Sequence, residues 1–190
     1  HNAAFKKLGL NCIYLPFRVT QRNLKSAMMG MRALNIRGFN VVLPHKTAII
    51  KFLDEVDEAA QEVGAVNTIL NDEGRLIGYN TDGSGAAMAL EEQDVDPSDK
   101  RIILIGAGGA ARAIAFTLAR GARSIFVLNR TQHRALKLAK DIEKRIGKKI
   151  LTRSLTRNSL LEALQDADIL INATSVGMYP KTKQTVATRK

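Results

Sequence analysis

Cysteine and tryptophan are almost absent from this chain of 190 residues: Cys12 is the only cysteine, and there is no tryptophan. A single cysteine excludes an internal disulfide and a zinc site built on several thiolates, and we expect no bound metal. Aromatic residues make up only 5% of the chain, too few for a surface on which single-stranded nucleic acid stacks its bases. No apolar run approaches the roughly eighteen uninterrupted residues of a membrane span. These absences predict a protein of a reducing compartment, the cytoplasm, with neither nucleic acid nor a membrane as partner.

Positive charge is in excess, with a formal net charge of +11 at pH 7. Lysine and arginine concentrate between Arg123 and Arg157 and again in the last ten residues. Most of the first group falls on the polar side of a helical pattern, which is typical of a solvated helix face. A basic surface can also attract a phosphorylated cofactor or a small anionic substrate. The charge leaves both interpretations open.

The first half of the chain has the apolar periodicity of short strands and helices. The expected strands cover residues 11–17, 39–44, 65–70 and 75–80, the last two flanking the turn sequence "NDEG". The expected helices cover residues 22–34, one or two segments of 45–64, and 83–93. The polar segment 94–100, "DVDPSDK", follows and has the composition of a linker.

The second half alternates apolar strands with helices. Strands are expected at residues 101–106, 124–129 and 168–174, and helices at 107–122, 131–147 and 159–167. The runs "RIILIG" and "SIFVLN" are apolar throughout, as in strands buried on both faces of a parallel sheet. This alternation predicts a doubly wound α/β fold with right-handed crossovers.

A glycine-rich turn follows the first of these strands. Gly106, Gly108 and Ala111 form the pattern G-x-G-x-x-A, with Ala107, Gly109 and Ala110 between them. In such a turn the glycines let the backbone approach a pyrophosphate, and the free N–H groups of the helix N-terminus hold the phosphates. The alternative is an ordinary strand-to-helix turn. The strand before it and the helix after it favour a dinucleotide site.

The end of the next strand indicates which dinucleotide binds. An acid is expected there in an NAD site, where it accepts hydrogen bonds from the ribose 2′-hydroxyl. This chain has Asn129, Arg130 and Thr131 instead, with Arg134 one turn later. A guanidinium pairs with a phosphate through two hydrogen bonds, and Thr131 is placed to cap the following helix. We therefore expect NADP rather than NAD, although Arg134 alone could be a surface arginine.

Three polar residues of the first half lie at strand ends or turns, where sites commonly lie. Lys46 follows a strand that Pro44 ends, Asn67 lies in "GAVNT", and Asp82 precedes the helix that begins near Gly83. Singly, each has an ordinary interpretation: a solvated lysine, a turn former and a helix cap. The residues alone do not decide between these interpretations and a site.

Several blocks in order across the chain resemble the shikimate dehydrogenase family, including its quinate/shikimate relatives. The blocks are "HNAAF", "GFNVVLPHK", "GAVNTI", "GYNTDGSG", "GAGGAARA", "NRT" and "NATSVGM". The resemblance implies an N-terminal α/β substrate-binding domain, here residues 1–82, and a Rossmann-like NADP-binding domain with a parallel sheet, residues 83–190. It implies reversible reduction of 3-dehydroshikimate to shikimate by NADPH, in chorismate and aromatic amino-acid biosynthesis.

The resemblance also implies roles for residues within these blocks. Lys46 and Asp82 correspond to the family's catalytic, substrate-binding pair, and Asn67 to its hydroxyl-binding amide. Thr174 and Met178, in "NATSVGM", lie where the family's chain approaches the nicotinamide ring. With the residues of the glycine turn and of 129–134, these form the expected cofactor site.

The chain departs from the family at three places. Val42 stands where the family usually has threonine, which removes a hydroxyl donor to a polyol substrate. The serine-rich motif before "HNAAF" and the family's C-terminal region are absent, so we expect a truncated chain. Broader quinate/shikimate specificity and a catalytically silent nucleotide- or metabolite-binding module stay open as alternatives. The expected state is a monomer or a homodimer.

Overall fold

The structure is a computed structural model that describes residues 1–180 and 182–187. Part of the basic tail noted above, Lys181 and residues 188–190, lies outside the described residues. The seven α-helices in the described part of the chain are α1 (Asn2–Lys7), α2 (Leu24–Ala33), α3 (Glu58–Val63), α4 (Asp82–Glu91), α5 (Gly109–Ala119), α6 (Gln132–Ile146) and α7 (Arg157–Leu164).

Two four-stranded sheets organise these helices. The first sheet contains β1 (Gly38–Asn40), β2 (Glu55–Val56), β3 (Thr68–Asp72) and β4 (Arg75–Tyr79), and the second contains β5 (Arg101–Ile105), β6 (Ser124–Asn129), β7 (Leu151–Ser154) and β8 (Ile169–Asn172). The first sheet is mixed, in the order β1-β3-β4-β2, with β2 parallel and the other pairs antiparallel. The second is parallel throughout, in the order β7-β6-β5-β8. The α/β fold class with a parallel sheet is confirmed.

The parallel sheet forms because its central strands can be buried on both faces. Residues 102–105 of β5 are at most 2% exposed. Ile102 and Leu104 pack with the small residues of α5 in the largest described apolar core, and Ile103 and Ile105 pack with Leu128 and Leu160 in a second core. The register pairs Ile105 of β5 with Leu128 of β6 and with Asn172 of β8. The carboxyl ends of three strands therefore meet at one edge, and the segments that follow them lie side by side.

The predicted hairpin of the first half is confirmed. β3 and β4 pair antiparallel from Thr68 opposite Tyr79 to Asp72 opposite Arg75. Glu73 and Gly74 both have positive φ, which a tight two-residue turn between twisted strands requires. This hairpin fixes the relative positions of Asn67, just before β3, and of the residues just after β4.

The strand predicted at residues 11–17 is wrong, and the strand predicted at 39–44 is confirmed only near its start, as β1. A strand needs a hydrogen-bonded neighbour at about 4.8 Å. Here an apolar groove of about 620 Å³ lies between residues 13–19 and the segment 38–45. Apolar side chains such as Ile13 and Phe17 are 75% and 60% exposed along it. The apolar run is present, but in the described residues no strand pairs with it.

The region predicted as one or two helices, residues 45–64, is helical only in part. Glu55 and Val56 form β2 beside β4, and α3 begins after Asp57, whose carboxylate accepts from the N–H of Ala60 at 2.9 Å. Asp54, just before β2, accepts a hydrogen bond from the N–H of Leu76 and pairs with Arg32. These contacts, first that of Leu76 and second that of Arg32, hold the pKa of the Asp54 carboxyl below its usual value. Pairing with the hairpin has overridden the local helical pattern.

The two halves pack through helices. α4 lies against α5, and Val63 and Ala65, which belong to the first half, are buried in the same apolar core as α5. In the described part of the chain, no helix is both long and apolar enough to cross a membrane. The junction of the halves brings the end of α3 and the start of α4 against α5, the helix that follows the glycine turn.

Candidate active site

Lys46 and Asp82, both in the first half of the chain, form an ion pair. The ammonium nitrogen of Lys46 lies 2.5 Å from Oδ2 of Asp82, and their side chains are 15% and 22% exposed. The sequence separates these residues by 36 positions, so only the fold brings them together. Because both groups are mostly shielded from water, their attraction is stronger than that of a surface pair.

Asn67 and the residues before Asp82 hold the carboxylate in place. The amide nitrogen of Asn67, a residue that is 9% exposed, donates to Oδ1 of Asp82 over 2.7 Å. Lys46 and Asn67 thus contact different oxygens of one carboxylate. The side-chain oxygen of Asn67 accepts from the N–H of Thr81 at 3.0 Å, and that of Asn80 accepts from the N–H of Asp82 at 3.1 Å. The carboxylate therefore has little freedom to turn.

The backbone ties these side chains to the sheet. The carbonyl of Lys46 accepts from the N–H of Val66 at 2.8 Å, and the N–H of Asn67 donates to Tyr79 at 3.0 Å. Asp82 is the first residue of α4, directly after β4 and its short turn. The three candidate residues of the first half, Lys46, Asn67 and Asp82, are brought together.

The glycine turn lies next to this pair. A Cβ atom built on Gly109 would come within 3.5 Å of Cδ of Lys46. Gly109 is the first residue of α5, which no side chain caps in the described structure, and Gly108 has open space where a side chain would be. Ala110 is exposed, and Ala107 is half-buried. The open N-terminus of α5 can accept an anionic group close to the amine of Lys46.

Gly106 shows why the turn needs glycine. Its φ is +119°, a conformation that other residues rarely adopt, and a Cβ there would come 2.8 Å from the carbonyl oxygen of Ala173. The turn after β5 and the segment after β8 therefore touch. Thr174 is half-buried at this contact and accepts a hydrogen bond from the N–H of Val176 at 3.1 Å. Met178, four residues further on, is 63% exposed.

The residues after β6 lie at the same edge of the sheet. The Asn129 amide donates to the carbonyl of Thr131 at 2.9 Å, while Arg130 and Arg134 are exposed. Thr131 occupies the N-cap position of α6, as predicted, but its side chain makes no capping hydrogen bond. In the described structure neither arginine is in a salt bridge, so both guanidinium groups are available to an anion.

Three contributors were missed from the sequence. Asn80 and Thr81 orient the Asp82 carboxylate together with Asn67, yet only Asp82 of "GYNTDGSG" was singled out. Arg112, within "GAGGAARA", joins the halves through the carbonyl of Val63. All three lie inside blocks that carried the family resemblance, so their position in those blocks was the available signal.

The parallel sheet and the glycine turn at its carboxyl edge define a Rossmann-like α/β protein, here with a lysine–carboxylate pair beside the turn. Two family models match the chain: the shikimate dehydrogenase substrate binding domain at residues 1–69, and shikimate / quinate 5-dehydrogenase at residues 88–189. The chain belongs to the shikimate/quinate 5-dehydrogenase family. The resemblance seen in the sequence blocks is thereby confirmed.

Individual relatives agree with this assignment. A protein of Methanocaldococcus jannaschii named shikimate dehydrogenase (NADP(+)) is 52% identical over 180 residues, which are 95% of this chain and 63% of the relative. A crystal structure of a shikimate dehydrogenase in complex with NADP+ matches with a TM-score of 0.91 and 48% identity, over 98% of this chain and 65% of that one. The crystal structure of shikimate 5-dehydrogenase from Listeria monocytogenes in complex with shikimate and NAD matches with a TM-score of 0.87 and 40% identity, over 98% of this chain and 66% of that one. The chain spans less than two thirds of the length of these relatives.

Proposed function

We propose that the protein is an NADP-dependent oxidoreductase that reversibly reduces 3-dehydroshikimate to shikimate, a step of chorismate and aromatic amino-acid biosynthesis. The observation that carries this proposal is the shielded Lys46–Asp82 pair, held against the glycine turn at Gly109. Family membership supports the substrate class, and the relatives named above support the cofactor.

The pair suits the chemistry of carbonyl reduction. NADPH, when bound, supplies a hydride to the carbonyl carbon, and negative charge then develops on the carbonyl oxygen. An ammonium group within reach stabilises that charge and donates a proton to the oxygen. In our proposal Lys46 is this acid, Asp82 keeps its amine in place, and Asn67 holds Asp82 and offers its amide to a substrate hydroxyl. In the reverse direction Lys46 accepts the proton.

The residues present fit the cofactor. The open N-terminus of α5 and the turn formed by Gly106, Ala107, Gly108, Gly109 and Ala110 would hold the pyrophosphate. Arg130 and Arg134 are exposed at the neighbouring strand end and would bind the adenosine 2′-phosphate, with Asn129 and Thr131 shaping the loop. Thr174 and Met178 would line the nicotinamide end. These roles support NADP over NAD.

The experiment is the formation of NADPH from shikimate by the complete protein and by its Lys46→Met form. We expect turnover to fall by at least about 100-fold, because general acid–base catalysis contributes roughly that much or more. The control is Lys25→Met, which removes an exposed lysine of α2 and should leave turnover unchanged. Undiminished turnover in the Lys46 variant would remove this residue from the mechanism.

Quinate is the alternative substrate, because the matching family model covers both substrates and Val42 replaces a hydroxyl-bearing residue. Val42 is 68% exposed and lines the apolar groove, and the N–H of the preceding residue, Val41, donates to the carbonyl of Asn67. The same assay with quinate decides between the two: a larger kcat/KM for quinate would reassign the preferred substrate. A silent binding module is the further alternative, and it would bind NADPH without turning over either compound.

The domain limits are also a proposal. We place the boundary between residues 82 and 83, with the substrate-binding domain at 1–82 and the NADP-binding domain at 83–190. The packing of α4 on α5 supports assigning α4, apart from its first residue Asp82, to the second domain. A cytoplasmic location and a monomeric or homodimeric state remain our expectations, the first supported by the single exposed cysteine.

A further inference from the structure

We infer that Arg112 positions the Lys46–Asp82 pair against the glycine turn by clamping the end of α3, an inference that rests on the proposed function. Arg112 contacts neither of these two side chains. It lies on α5, one turn after Gly109, and its guanidinium reaches across to the first half of the chain. We call Arg112, Arg120 and Arg145, together with residues 61–63, the arginine clamp.

The clamp binds the C-terminal carbonyl groups of a short helix. The Nε atom of Arg112 donates to the carbonyl of Val63, and Arg145 donates to the carbonyl of Glu62 at 2.7 Å. Arg120 pairs with the Glu62 carboxylate. The last carbonyls of a helix lack partners within the helix and carry its negative dipole end, so cations are favoured there. All three arginines come from the second half of the chain, and the groups of α3 that they bind come from the first.

Arg112 is the fixed member of the clamp. Its Nη1 atom lies 2.7 Å from Asp141 of α6, with side chains 19% and 31% exposed, and its guanidinium lies 5.0 Å from the centre of the Phe116 ring. A charge held on three sides in this way is costly to move. Arg120 is 58% exposed by comparison, and its pair with Glu62 is of the weak surface kind.

A short path leads from the clamp to the catalytic pair. Two residues after Val63, Ala65 is 1% exposed in the core of the second half. The N–H of Val66 then donates to the carbonyl of Lys46 at 2.8 Å, and Asn67 donates to Asp82. The other end of the path is α5 itself, which begins at Gly109 beside Lys46. The clamp therefore joins the turn expected to hold the phosphates and the segment that carries the acid.

Positioning of this kind has a distinct kinetic consequence. The cofactor turn belongs to the second half, so loss of the clamp should leave cofactor affinity almost unchanged. The amine of Lys46 would no longer be held at a fixed distance from the nicotinamide ring of the bound cofactor. A displacement near 1 Å can lower turnover by about 100-fold. A role limited to stability would change the fraction of folded protein and not kcat per folded molecule.

The test compares Arg112→Met and Arg112→Lys with a matched control, Arg123→Met, in the complete protein. Arg123 is 66% exposed, and its partner Asp99, 3.9 Å away, is not part of the arginine clamp. For Arg112→Met we expect kcat per folded molecule to fall at least about tenfold while the Kd for NADPH changes by less than about twofold. The kcat of Arg112→Lys should lie between those of the wild type and Arg112→Met, and the kcat of the control Arg123→Met should equal that of the wild type. An unchanged kcat would overturn the inference.

Amide hydrogen exchange provides a measurement that does not depend on activity. In Arg112→Met the Val66 amide should exchange at least about tenfold faster, while the amide of Leu104 in β5 keeps its wild-type rate. An unchanged Val66 rate, or equal acceleration at both amides, would overturn the inference. If Arg112→Met does not fold, the exchange rates of the Val66 and Leu104 amides in Arg112→Lys test the inference in the same way. If the wild type turns over neither shikimate nor quinate, the proposed function fails, and the exchange rates alone decide the clamp.

Discussion

Neighbouring side chains set the position and the surroundings of Lys46. A lysine at the end of a strand is ordinarily a solvated cation, and nothing within its own segment would change that. The fold places Asp82 2.5 Å away and shields both side chains, so the amine is fixed at one point. Asn67 occupies the second carboxylate oxygen and thereby prevents Asp82 from rotating away. At the residue scale the site is a chain of three side chains, each oriented by the next.

The amide of Asn67 can be tested against a matched asparagine. Asn67→Ala leaves the N–H of Thr81 and one oxygen of Asp82 without their partner, so we expect kcat/KM for shikimate to fall about tenfold to a hundredfold. Asn71→Ala is the control, because Asn71 is 6% exposed and hydrogen-bonded at the hairpin turn, away from the site. Both variants should lose about 1 to 3 kcal/mol of unfolding free energy. Equal kinetic losses in both would contradict a site role for Asn67.

Glycines decide how closely the elements can pack. α4 and α5 cross with Gly83 against the backbone of α5, where a Cβ atom would come 2.8 Å from the carbonyl of Ala113 and would overlap Thr117. Because Asp82 precedes Gly83, this close packing also fixes where α4 begins. At the element scale, the start of α4 and the carboxylate of Asp82 are placed by the same contact.

Gly83→Ala should therefore lower the free energy of unfolding by about 1 to 3 kcal/mol, the usual effect of overpacking. Gly85→Ala is the control on the same helix, since nothing lies within 4 Å of its added Cβ. Alanine is the better helix former by about 1 kcal/mol, so Gly85→Ala should be neutral or stabilising. Chemical denaturation of both variants measures the difference. A Gly83 variant as stable as the Gly85 variant would show that α4 and α5 do not pack as closely as described.

The sequence predicts the second half well for a physical reason. Strands such as β5 and β6 are buried on both faces, so their apolar runs are continuous, and the glycine turn after β5 has the one composition that permits its φ of +119°. Local pattern and tertiary structure agree there. The parallel sheet, the turn and the position of Arg130 at a strand end could all be predicted.

The first half is predicted less well because its strands depend on partners. Residues 11–17 have the composition of a strand, yet no described strand lies beside them, whereas Glu55 and Val56 pair with β4 inside an expected helix. The contact of Lys46 with Asp82 could be predicted only from the family resemblance, since spacing alone does not bring the two together. The contact of Arg112 with Val63 has no local signal at all.

The whole molecule depends on how its halves meet. In our proposal the first half supplies the acid Lys46 and the residues that hold it. The second half supplies the glycine turn and the exposed arginines suited to a phosphorylated dinucleotide. The contacts that connect them include the packing of α4 on α5, the arginine clamp, and the approach of Lys46 to Gly109. With these contacts in place, a substrate bound to the first half would face a cofactor bound to the second.

The most direct test is a crystal structure of the complete protein with NADP+ and shikimate bound. We expect the amine of Lys46 within about 3.2 Å of the shikimate hydroxyl that is oxidised, with the nicotinamide ring against the same carbon. We also expect the 2′-phosphate beside Arg130. A structure in which Lys46 and Asp82 face solvent, with shikimate bound elsewhere, would contradict the account.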